Sequence, residues 1–261
     1  MFRSVSKVFR HQPAFFNWFG KERGGETRAL DSVSLEAAAG EVLVLLGPNG
    51  SGKTTMLKLL STILLPDEGQ ILVHGSDTAT QGTDVRNRIG FAVSSERSFY
   101  PRLTARENLD LFAALDDLPR SHRPQRVESV LDTTGLSDAG DTLVMKFSSG
   151  MFQRLGIARA LLRQPSVLLL DEPTRSLDPG GAMHLWQTVR EAASARATVL
   201  LATHNFDEAV SVGHRVAVLC QGHLVGLRTL LPDTSVADLR ALYFRQVDVE
   251  PGPLTLPRGS S

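Results

Sequence analysis

Apolar residues are arranged along the chain in a way that predicts a parallel sheet packed against helices. Residues 42–46 are apolar throughout, as expected of a strand covered on both faces, and residues 167–170 and 198–202 repeat the pattern of an apolar strand followed by a polar turn. Helical spacing of apolar residues follows the first segment over residues 54–64, and a further helix is predicted to start at Asp178, with Pro179 in its first turn. Strands that alternate with helices indicate an α/β fold with a mostly parallel sheet.

The first forty residues give a weaker pattern. Residues 5–9 predict an edge strand, and Val33 and Leu35 alternate with polar residues as in a half-buried strand. Between these segments, residues 10–28 mix aromatic side chains, glycines and charges without a period. We interpret that stretch as a loop insertion with a short helix near residues 14–19.

A mostly helical insert interrupts the α/β pattern. Thr104 and Glu107 have the spacing of a capping box, and a second helix is predicted over residues 124–134, closed by Gly135. Short strands are predicted beyond the third apolar segment, with a turn between them. The resulting division is a core of residues 1–97 and 149–230, a helical subdomain of residues 98–148, a C-terminal helical extension of residues 231–250 and a disordered tail of residues 251–261.

Composition limits the classes of function. Of the 261 residues 42% are hydrophobic, and 28 basic residues balance 28 acidic ones. That balance argues against a nucleic-acid partner held by bulk positive charge. The single cysteine rules out an intramolecular disulfide and a cysteine-based zinc cluster, and no apolar run approaches the length of a membrane span. The 23 arginines against five lysines suggest a GC-rich bacterial genome.

The strongest local signal is a glycine-rich segment between the first apolar strand and its helix. Gly47-Pro48-Asn49-Gly50-Ser51-Gly52-Lys53-Thr54 matches G-x-x-x-x-G-K-[ST]. Glycines at these positions let backbone N–H groups surround phosphate oxygens, and the helix start adds a positive dipole end. By this motif Lys53 reaches the β- and γ-phosphates and the Thr54 hydroxyl binds Mg²⁺.

Polar side chains follow the two other apolar strands. Asp171 and Glu172 end the second, and His204 ends the third. Because ligands bind beyond the carboxyl ends of parallel strands, we expect all three beside the phosphate-binding loop. Asp171 is predicted to hold Mg²⁺, Glu172 to accept a proton from the attacking water, and His204 to bind the γ-phosphate or orient the water. Four of the other histidines, at positions 74, 184, 214 and 223, are interpreted as structural or surface residues.

These motifs occur in the order seen in ATP-binding subunits of ABC transporters, and the resemblance covers residues from about 5 to 230. The most specific segment is residues 148–161, which resembles the signature segment of that family. The resemblance implies a P-loop NTPase core with an N-terminal antiparallel β part. It also implies that Ser148, Ser149 and Gly150 bind the ATP of another subunit in a head-to-tail dimer. The alternative is an ordinary helix capped by Ser148 or Ser149.

The resemblance implies further roles. Thr55 completes the loop that binds ATP, and Asp178 contacts the opposite subunit, although Asp178 is also a candidate N-cap. An aromatic residue near the start of the chain stacks on adenine; Phe9 matches that place best, with Trp18 and Phe19 as alternatives. The helical insert faces an integral-membrane permease, which places the protein on the cytoplasmic face of the cell membrane.

One loop departs from the family pattern. The family has a glutamine that touches Mg²⁺ after the strand of residues 88–93, where this chain has Ser94-Ser95-Glu96. Serine is shorter and reaches the metal only through water, with Glu96 as a possible substitute. Lys53, Asp171, Glu172 and His204 are all present, so a competent but slow ATPase is expected.

Several functions remain open at this point. Residues 94–100 and the N-terminal insertion resemble export systems for drugs, lipids or polysaccharides more than nutrient importers. A soluble ATPase acting on DNA or ribosomes usually carries two such domains or a long coiled-coil insert. A small-molecule kinase or GTPase leaves residues 147–154 and the paired acids without a role. The leading interpretation is the ATPase subunit of an exporter, with the cargo left undetermined.

Overall fold

The computed structural model describes residues 1–10, 25–93 and 98–247. Within these residues the strands are β1 (Phe2–Arg10), β2 (Glu26–Leu35), β3 (Val42–Leu46), β4 (Glu68–Val73), β5 (Ser76–Asp77), β6 (Ile89–Val93), β7 (Val167–Asp171), β8 (Thr198–Thr203), β9 (Arg215–Cys220) and β10 (His223–Thr229). The helices are α1 (Lys53–Leu60), α2 (Gly82–Arg86), α3 (Ala105–Leu115), α4 (Arg123–Thr133), α5 (Ser149–Leu161), α6 (Pro179–Ser194), α7 (Phe206–Val212) and α8 (Val236–Val247), with short 3₁₀ turns at Ser137–Ala139 and Val144–Lys146.

The central sheet has the strand order β10-β9-β3-β8-β7-β6, and every pair in it is parallel except β9 with β10. Every residue of β3, β7 and β8 is buried, which explains why these strands are apolar except at the ends of β7 and β8. One face packs on α1 and the antiparallel strands, and the other packs on α5, α6, α7 and α8. The predicted α/β class with a mostly parallel sheet is confirmed.

A second, antiparallel sheet has the order β2-β1-β4-β5. The prediction that residues 5–9 form an edge strand is wrong, because β1 pairs with β2 on one side and β4 on the other. Its buried Phe2 and Val5 join the core beneath the central sheet. A short alternating run gives no information about partners that lie far away in the chain.

The N-terminal insertion is narrower than residues 10–28. Arg10 pairs with Glu26, and Thr27 and Arg28 pair with Phe9 and Val8, so both strands extend beyond the alternating pattern. Backbone pairing does not require apolar side chains, which is why the sequence pattern stops short of the strand ends. The predicted helix near residues 14–19 lies outside the described residues.

Helix α1 is also shorter than predicted. It ends at Leu60 with Ser61 as its C-cap, whereas the apolar spacing extends to residue 64. Thr62 has a φ of 62°, a left-handed conformation that the α-helix cannot continue through. Ile63 therefore points outward and is 62% exposed.

The helical part has its own apolar core. Helices α3 and α4 pack with one face of α5, which contributes Leu155 and Ala158, and with its C-cap residue Leu162. The opposite face of α5 places Ile157 and Ala160 against the central sheet. The predicted capping box of α3 is present, since the Thr104 hydroxyl accepts from the Glu107 backbone and the Glu107 carboxylate accepts from Thr104 N–H. Helix α5 therefore joins the helical part to the sheet.

The C-terminal helix α8 packs on α7 and β10. The Tyr243 ring meets the Phe206 ring edge-on, with 5.2 Å between centroids, and Leu239 is buried against the sheet. This helix lies within the extension predicted over residues 231–250. The tail predicted to be disordered, residues 251–261, lies outside the described residues.

Candidate functional site

The polar ends of three neighbouring strands lie at one edge of the central sheet. Strand β8 lies between β3 and β7, and all three run parallel. Leu46 pairs with Thr203, and Ala202 pairs with Asp171, so the strands end at the same level. The glycine-rich loop after β3, the two acids after β7 and His204 after β8 therefore converge, as predicted from the strand pattern.

The loop of residues 47–52 has a backbone that requires glycine. Gly50 has a φ of 80° and Gly52 a φ of 105°, both in the left-handed region. A Cβ on Gly52 would lie 2.6 Å from the carbonyl oxygen of Ala29. Pro48, Asn49 and Gly50 are exposed at the tip of the loop. The loop leads into the N-terminus of α1, whose unpaired N–H groups favour an anion such as phosphate.

Lys53 sits at the start of α1 and is only 6% exposed. Its Nζ donates to the carbonyl oxygens of Gly47, at 2.7 Å, and Pro48, at 3.1 Å. Burial lowers the pKa of the ammonium group, and the carboxylates of Glu172 and Asp171 act in the opposite direction. A buried cation inside a loop of N–H groups is complementary to a polyphosphate.

Asp171 and Thr54 form the candidate metal site. The Thr54 hydroxyl donates to Asp171 Oδ2 at 2.8 Å, while Asp171 Oδ1 is buried and makes no hydrogen bond. Burial raises the pKa of Asp171, against the hydrogen bond from Thr54. A buried carboxylate oxygen without a partner, beside a hydroxyl, fits the all-oxygen preference of Mg²⁺. No group of three His, Cys, Asp or Glu side chains forms a metal cluster among the described residues. Phosphate and water oxygens are therefore needed to complete the coordination.

Glu172 and His204 form a pair at the exposed side of the loop. His204 Nδ1 lies 2.9 Å from Glu172 Oε1 and 2.8 Å from Oε2. Glu172 has a φ of 49°, and its N–H donates to the carbonyl of Ala202 at 2.8 Å. A left-handed non-glycine residue is costly, and such strain is concentrated at functional sites. The Glu172 side chain is 16% exposed and that of His204 62%, so water reaches the pair.

The predicted second anion site lies at the start of α5. Ser148 is the N-cap, and its Oγ accepts from Met151 N–H. A Cβ on Gly150 would lie 3.0 Å from the carbonyl oxygen of Ser176, so the helix start is packed against the segment of residues 172–178. No hydrogen bond of the described residues joins Ser148, Ser149 or Gly150 to the loop of residues 47–54. The capping role of Ser148 is thus observed, and binding of a second ATP remains a prediction.

Asp178, at the end of the same segment, caps α6. Its Oδ1 accepts from Gly181 N–H at 2.6 Å, and Pro179 is the first helical residue. The segment of residues 172–178 therefore connects Glu172 to two helix starts, those of α5 and α6. The predicted contact of Asp178 with another subunit remains open beside this capping role.

The remaining predicted residues are the candidates for adenine stacking, the loop of residues 94–96 and the histidines interpreted as structural. Phe9 lies on β1, half-buried, with the Lys7 ammonium 5.9 Å from its ring centroid, and its stacking on adenine stays a prediction. Trp18, Phe19 and residues 94–96 lie outside the described residues. His214 accepts from Val42 N–H, and His184 Nε2 lies 2.8 Å from the Thr133 carbonyl oxygen. Their structural interpretation agrees with these contacts.

Sequence reasoning missed Glu208. Its side chain is fully buried on α7, four residues after His204, and neither carboxylate oxygen has a hydrogen bond of normal geometry. Glu208 and Val212 are spaced i, i+4 on the buried face of the helix. The sequence gives no clear signal for it, because which face of this seven-residue helix is buried is known only from the structure.

A groove of about 610 Å³ separates the sheet core from the helical part. Thr54 and Asp171 lie in its lining, so it reaches the candidate metal site. Ile63, 62% exposed, and Leu115, 66% exposed, lie on its two sides. Basic and acidic side chains also line it: Lys58, Arg86, Asp116, Asp117 and Arg163.

Comparisons with known proteins agree with this geometry. Residues 30–175, more than half of the chain, match the family model described as ABC transporter. A daunorubicin resistance ATP-binding protein of Streptomyces coeruleorubidus is 39% identical over 205 residues, which are 78% of this chain and 65% of the relative. A Nod factor export ATP-binding protein of Burkholderia thailandensis is 35% identical over 226 residues, 85% of this chain and 74% of the relative.

A solved structure shows the same fold as a dimer. It is described as a post-hydrolysis state of an ATP-binding cassette bound to ADP and Pi, is 26% identical and has a TM-score of 0.74. The match covers 88% of this chain and 98% of that one. The chain spans 60% to 65% of the length of the daunorubicin resistance relatives it matches. No helix among residues 1–10, 25–93 and 98–247 is long and apolar enough to cross a bilayer. The chain belongs to the ABC transporter family of ATP-binding proteins.

Proposed function

We propose that the chain hydrolyses ATP and thereby drives a separate membrane permease. The observation that carries this proposal is the convergence of Lys53, the Thr54–Asp171 pair and the Glu172–His204 pair at the ends of three adjacent strands. Together they supply a phosphate cradle, a site for Mg²⁺ and a carboxylate next to water. A protein that only binds a nucleotide, without hydrolysing it, requires the phosphate cradle but not the other two features.

The chemical step is an in-line displacement at the γ-phosphorus. Residues 47–54 bind the phosphates, with Lys53 directed at the β- and γ-phosphate oxygens. Glu172 accepts a proton from water while the water oxygen bonds to the γ-phosphorus, and the bond to the ADP oxygen breaks. His204, 2.8–2.9 Å from the carboxylate, holds Glu172 in place. Mg²⁺, held by Thr54 and Asp171, supplies charge neutralisation for the phosphate oxygens when bound.

The active arrangement is proposed to be a head-to-tail dimer of this chain with itself or a homologous subunit. The start of α5, with Ser148, Ser149 and Gly150, has the free N–H groups of a second anion site. It is packed on the segment that ends at Asp178. The dimeric cassette with 26% identity and a TM-score of 0.74 supports this proposal.

The permease is proposed to dock in the groove between the sheet core and the helical part. Exposed apolar residues Ile63 and Leu115 flank that groove. The protein is then peripheral on the cytoplasmic face of the membrane. Two relatives are named for drug resistance and for export of Nod factor, which supports export of a drug, lipid or polysaccharide by this chain.

ATP hydrolysis by the purified chain tests the proposal. We expect Lys53→Ala to lose ATP binding, and Glu172→Gln to keep it while kcat falls by about a hundredfold or more. Lys58→Ala removes the same charge five residues further along α1 and is expected to retain turnover within about threefold. Turnover of the Glu172→Gln protein at the wild-type rate would contradict the assignment of the base. Sedimentation with ribosomes or DNA rather than with membranes would contradict the transporter role.

A further inference from the structure

The Glu208 carboxyl group is buried without a conventional hydrogen bond at the back of the proposed active site. Its side chain has 0% exposure, and both of its oxygens lack a partner at hydrogen-bond geometry. The indole Nε1 of Trp186, which is also buried, lacks a partner as well. An unpaired carboxyl in the interior is costly, so its presence calls for a reason beyond packing.

Three polar groups face this carboxyl from three different elements. Thr203 is the last residue of β8, Thr174 belongs to the segment between β7 and α6, and Trp186 lies on α6. Each of them lowers the pKa of Glu208, but burial outweighs them and raises the pKa to about 7. The nearby charge of Glu172 adds to the increase.

The facing groups are suited to donate rather than to accept. The indole N–H has no acceptor capacity, and Thr203 Oγ1 already accepts from Asn205 N–H at 3.0 Å. The Thr203 hydroxyl hydrogen is therefore free to point towards Glu208. A side chain with an acceptor oxygen at position 208 is what these donors require.

We propose that Glu208 is a positioning residue that holds the ends of β7 and β8 in register for catalysis. Through Thr203 it fixes the residue before His204, and through Thr174 it fixes the segment that runs from Glu172 to Asp178. Trp186 links the same carboxyl to α6. Glu208 itself has no access to water or substrate, so it acts only through the Glu172–His204 pair. This inference rests on the proposed ATPase function.

The test compares kcat and KM for ATP in full-length variants. Glu208→Ala removes the acceptor and is expected to lower kcat ten- to a hundredfold. KM is expected to change by less than about threefold, because residues 47–54 do not touch Glu208. Glu208→Gln keeps the length and an acceptor oxygen, and is expected to restore kcat to within about threefold of the wild type.

A matched control separates positioning from general destabilisation. Glu41 is also buried, pairs with Arg215 at 3.0 Å, and precedes β3 at the opposite end of the sheet. Glu41→Ala is expected to lower Tm at least as much as Glu208→Ala while leaving kcat within about threefold. If Glu208→Ala does not fold, Trp186→Phe and Thr174→Val remove single donors, and each is expected to lower kcat by about threefold or more.

The outcomes distinguish this inference from the proposed function. A wild-type kcat in Glu208→Ala overturns the positioning role and leaves the proposed function intact. If Glu208→Ala does not fold, a wild-type kcat in both Trp186→Phe and Thr174→Val has the same meaning. An equal loss of kcat in Glu41→Ala overturns it too, since the effect is then one of stability. Absence of ATP turnover in the unmodified chain overturns the proposed function and this inference together.

Discussion

Asp171 and Glu208 are both buried carboxyl groups near the phosphate-binding loop, but their surroundings differ in kind. Asp171 has a cation, Lys53, among the groups that favour its ionised form, and one oxygen left free beside Thr54. Glu208 faces the neutral donors of Thr203, Thr174 and Trp186. Burial raises the pKa of both groups, and the two differ in what opposes it: a hydrogen bond from Thr54 and a nearby cation for Asp171, but only neutral donors for Glu208.

The raised pKa of Glu208 predicts a pH-dependent stability. Between its ordinary pKa of 4.5 and about 7, the folded state keeps the proton while the unfolded chain loses it. Folded stability therefore decreases as pH rises through this window, by up to about 3 kcal/mol. Glu208→Gln does not titrate, so its stability relative to the wild type is expected to increase from pH 5 to pH 8. Urea unfolding at both pH values measures the difference.

Asp207→Asn provides the control for that measurement, since Asp207 is exposed on the same helix. It is expected to show no comparable change between the two pH values. A constant difference between the Glu208→Gln protein and the wild type from pH 5 to pH 8 would show that Glu208 is ionised throughout.

The strand-end residues could be predicted from the sequence, whereas Glu208 could not. Asp171, Glu172 and His204 each follow an apolar run, and parallel strands place such residues together. The role of Glu208 depends on which face of α7 is buried and on contacts with Thr174 and Trp186, which are distant in the chain. Local periodicity in a seven-residue helix does not contain that information.

The segment of residues 172–178 connects the Glu172–His204 pair, proposed to act in hydrolysis, to helices α5 and α6. It starts at Glu172, passes under the N-terminus of α5 at Ser176 and ends in the N-cap of α6. Motion of either helix start therefore acts on the backbone that carries the base. The resemblance to ABC transporters assigns both helix starts to contacts with another subunit, and the structure packs the start of α5 against the segment that leads into α6.

Asp178 can be tested for capping and for a contact with the other subunit separately. Asn and Asp are equally good N-cap residues. The free energy of unfolding of Asp178→Asn is therefore expected to lie within about 0.5 kcal/mol of the wild-type value. If the charge contacts the other subunit, kcat falls about tenfold in this variant, which is the result we expect. Asp178→Ala is expected to lose about 1 kcal/mol of stability in addition. Full turnover in Asp178→Asn would limit Asp178 to its capping role.

Elements with strong local signals were predicted well, and those with distant partners were not. The apolar runs of β3, β7 and β8 and the capping box of α3 match the structure closely. The edge assignment of β1 is wrong because its second partner, β4, is more than fifty residues away. Helix α1 stops early because Thr62 is left-handed, which its sequence does not signal.

The groove between the sheet core and the helical part links the candidate metal site to the outside of the molecule. Leu115 and Ile63 line that groove and are exposed, as expected of a docking surface for an apolar or amphipathic segment of the permease. Leu115→Asp is expected to reduce association with permease-containing membranes about tenfold or more. Turnover of the purified chain should stay within about threefold. Leu231→Asp, at an equally exposed position after β10, is the control.

Equal loss of membrane association in Leu115→Asp and Leu231→Asp would contradict docking in the groove.

The sequence did not predict this groove, because its two walls come from α1 and β6 on one side and α3 and α5 on the other. The sequence indicated a helical insert, and only the packing of α5 against β6 fixes how the insert faces the sheet.

We propose above that two copies of this fold enclose ATP between the loop of residues 47–54 and the start of α5. The most direct test is sedimentation of the Glu172→Gln protein, in which bound ATP persists. With saturating ATP and Mg²⁺ we predict a dimer that reverts to monomer when ATP is replaced by ADP. A protein that stays monomeric with ATP and Mg²⁺, even in the presence of its permease, would contradict the account.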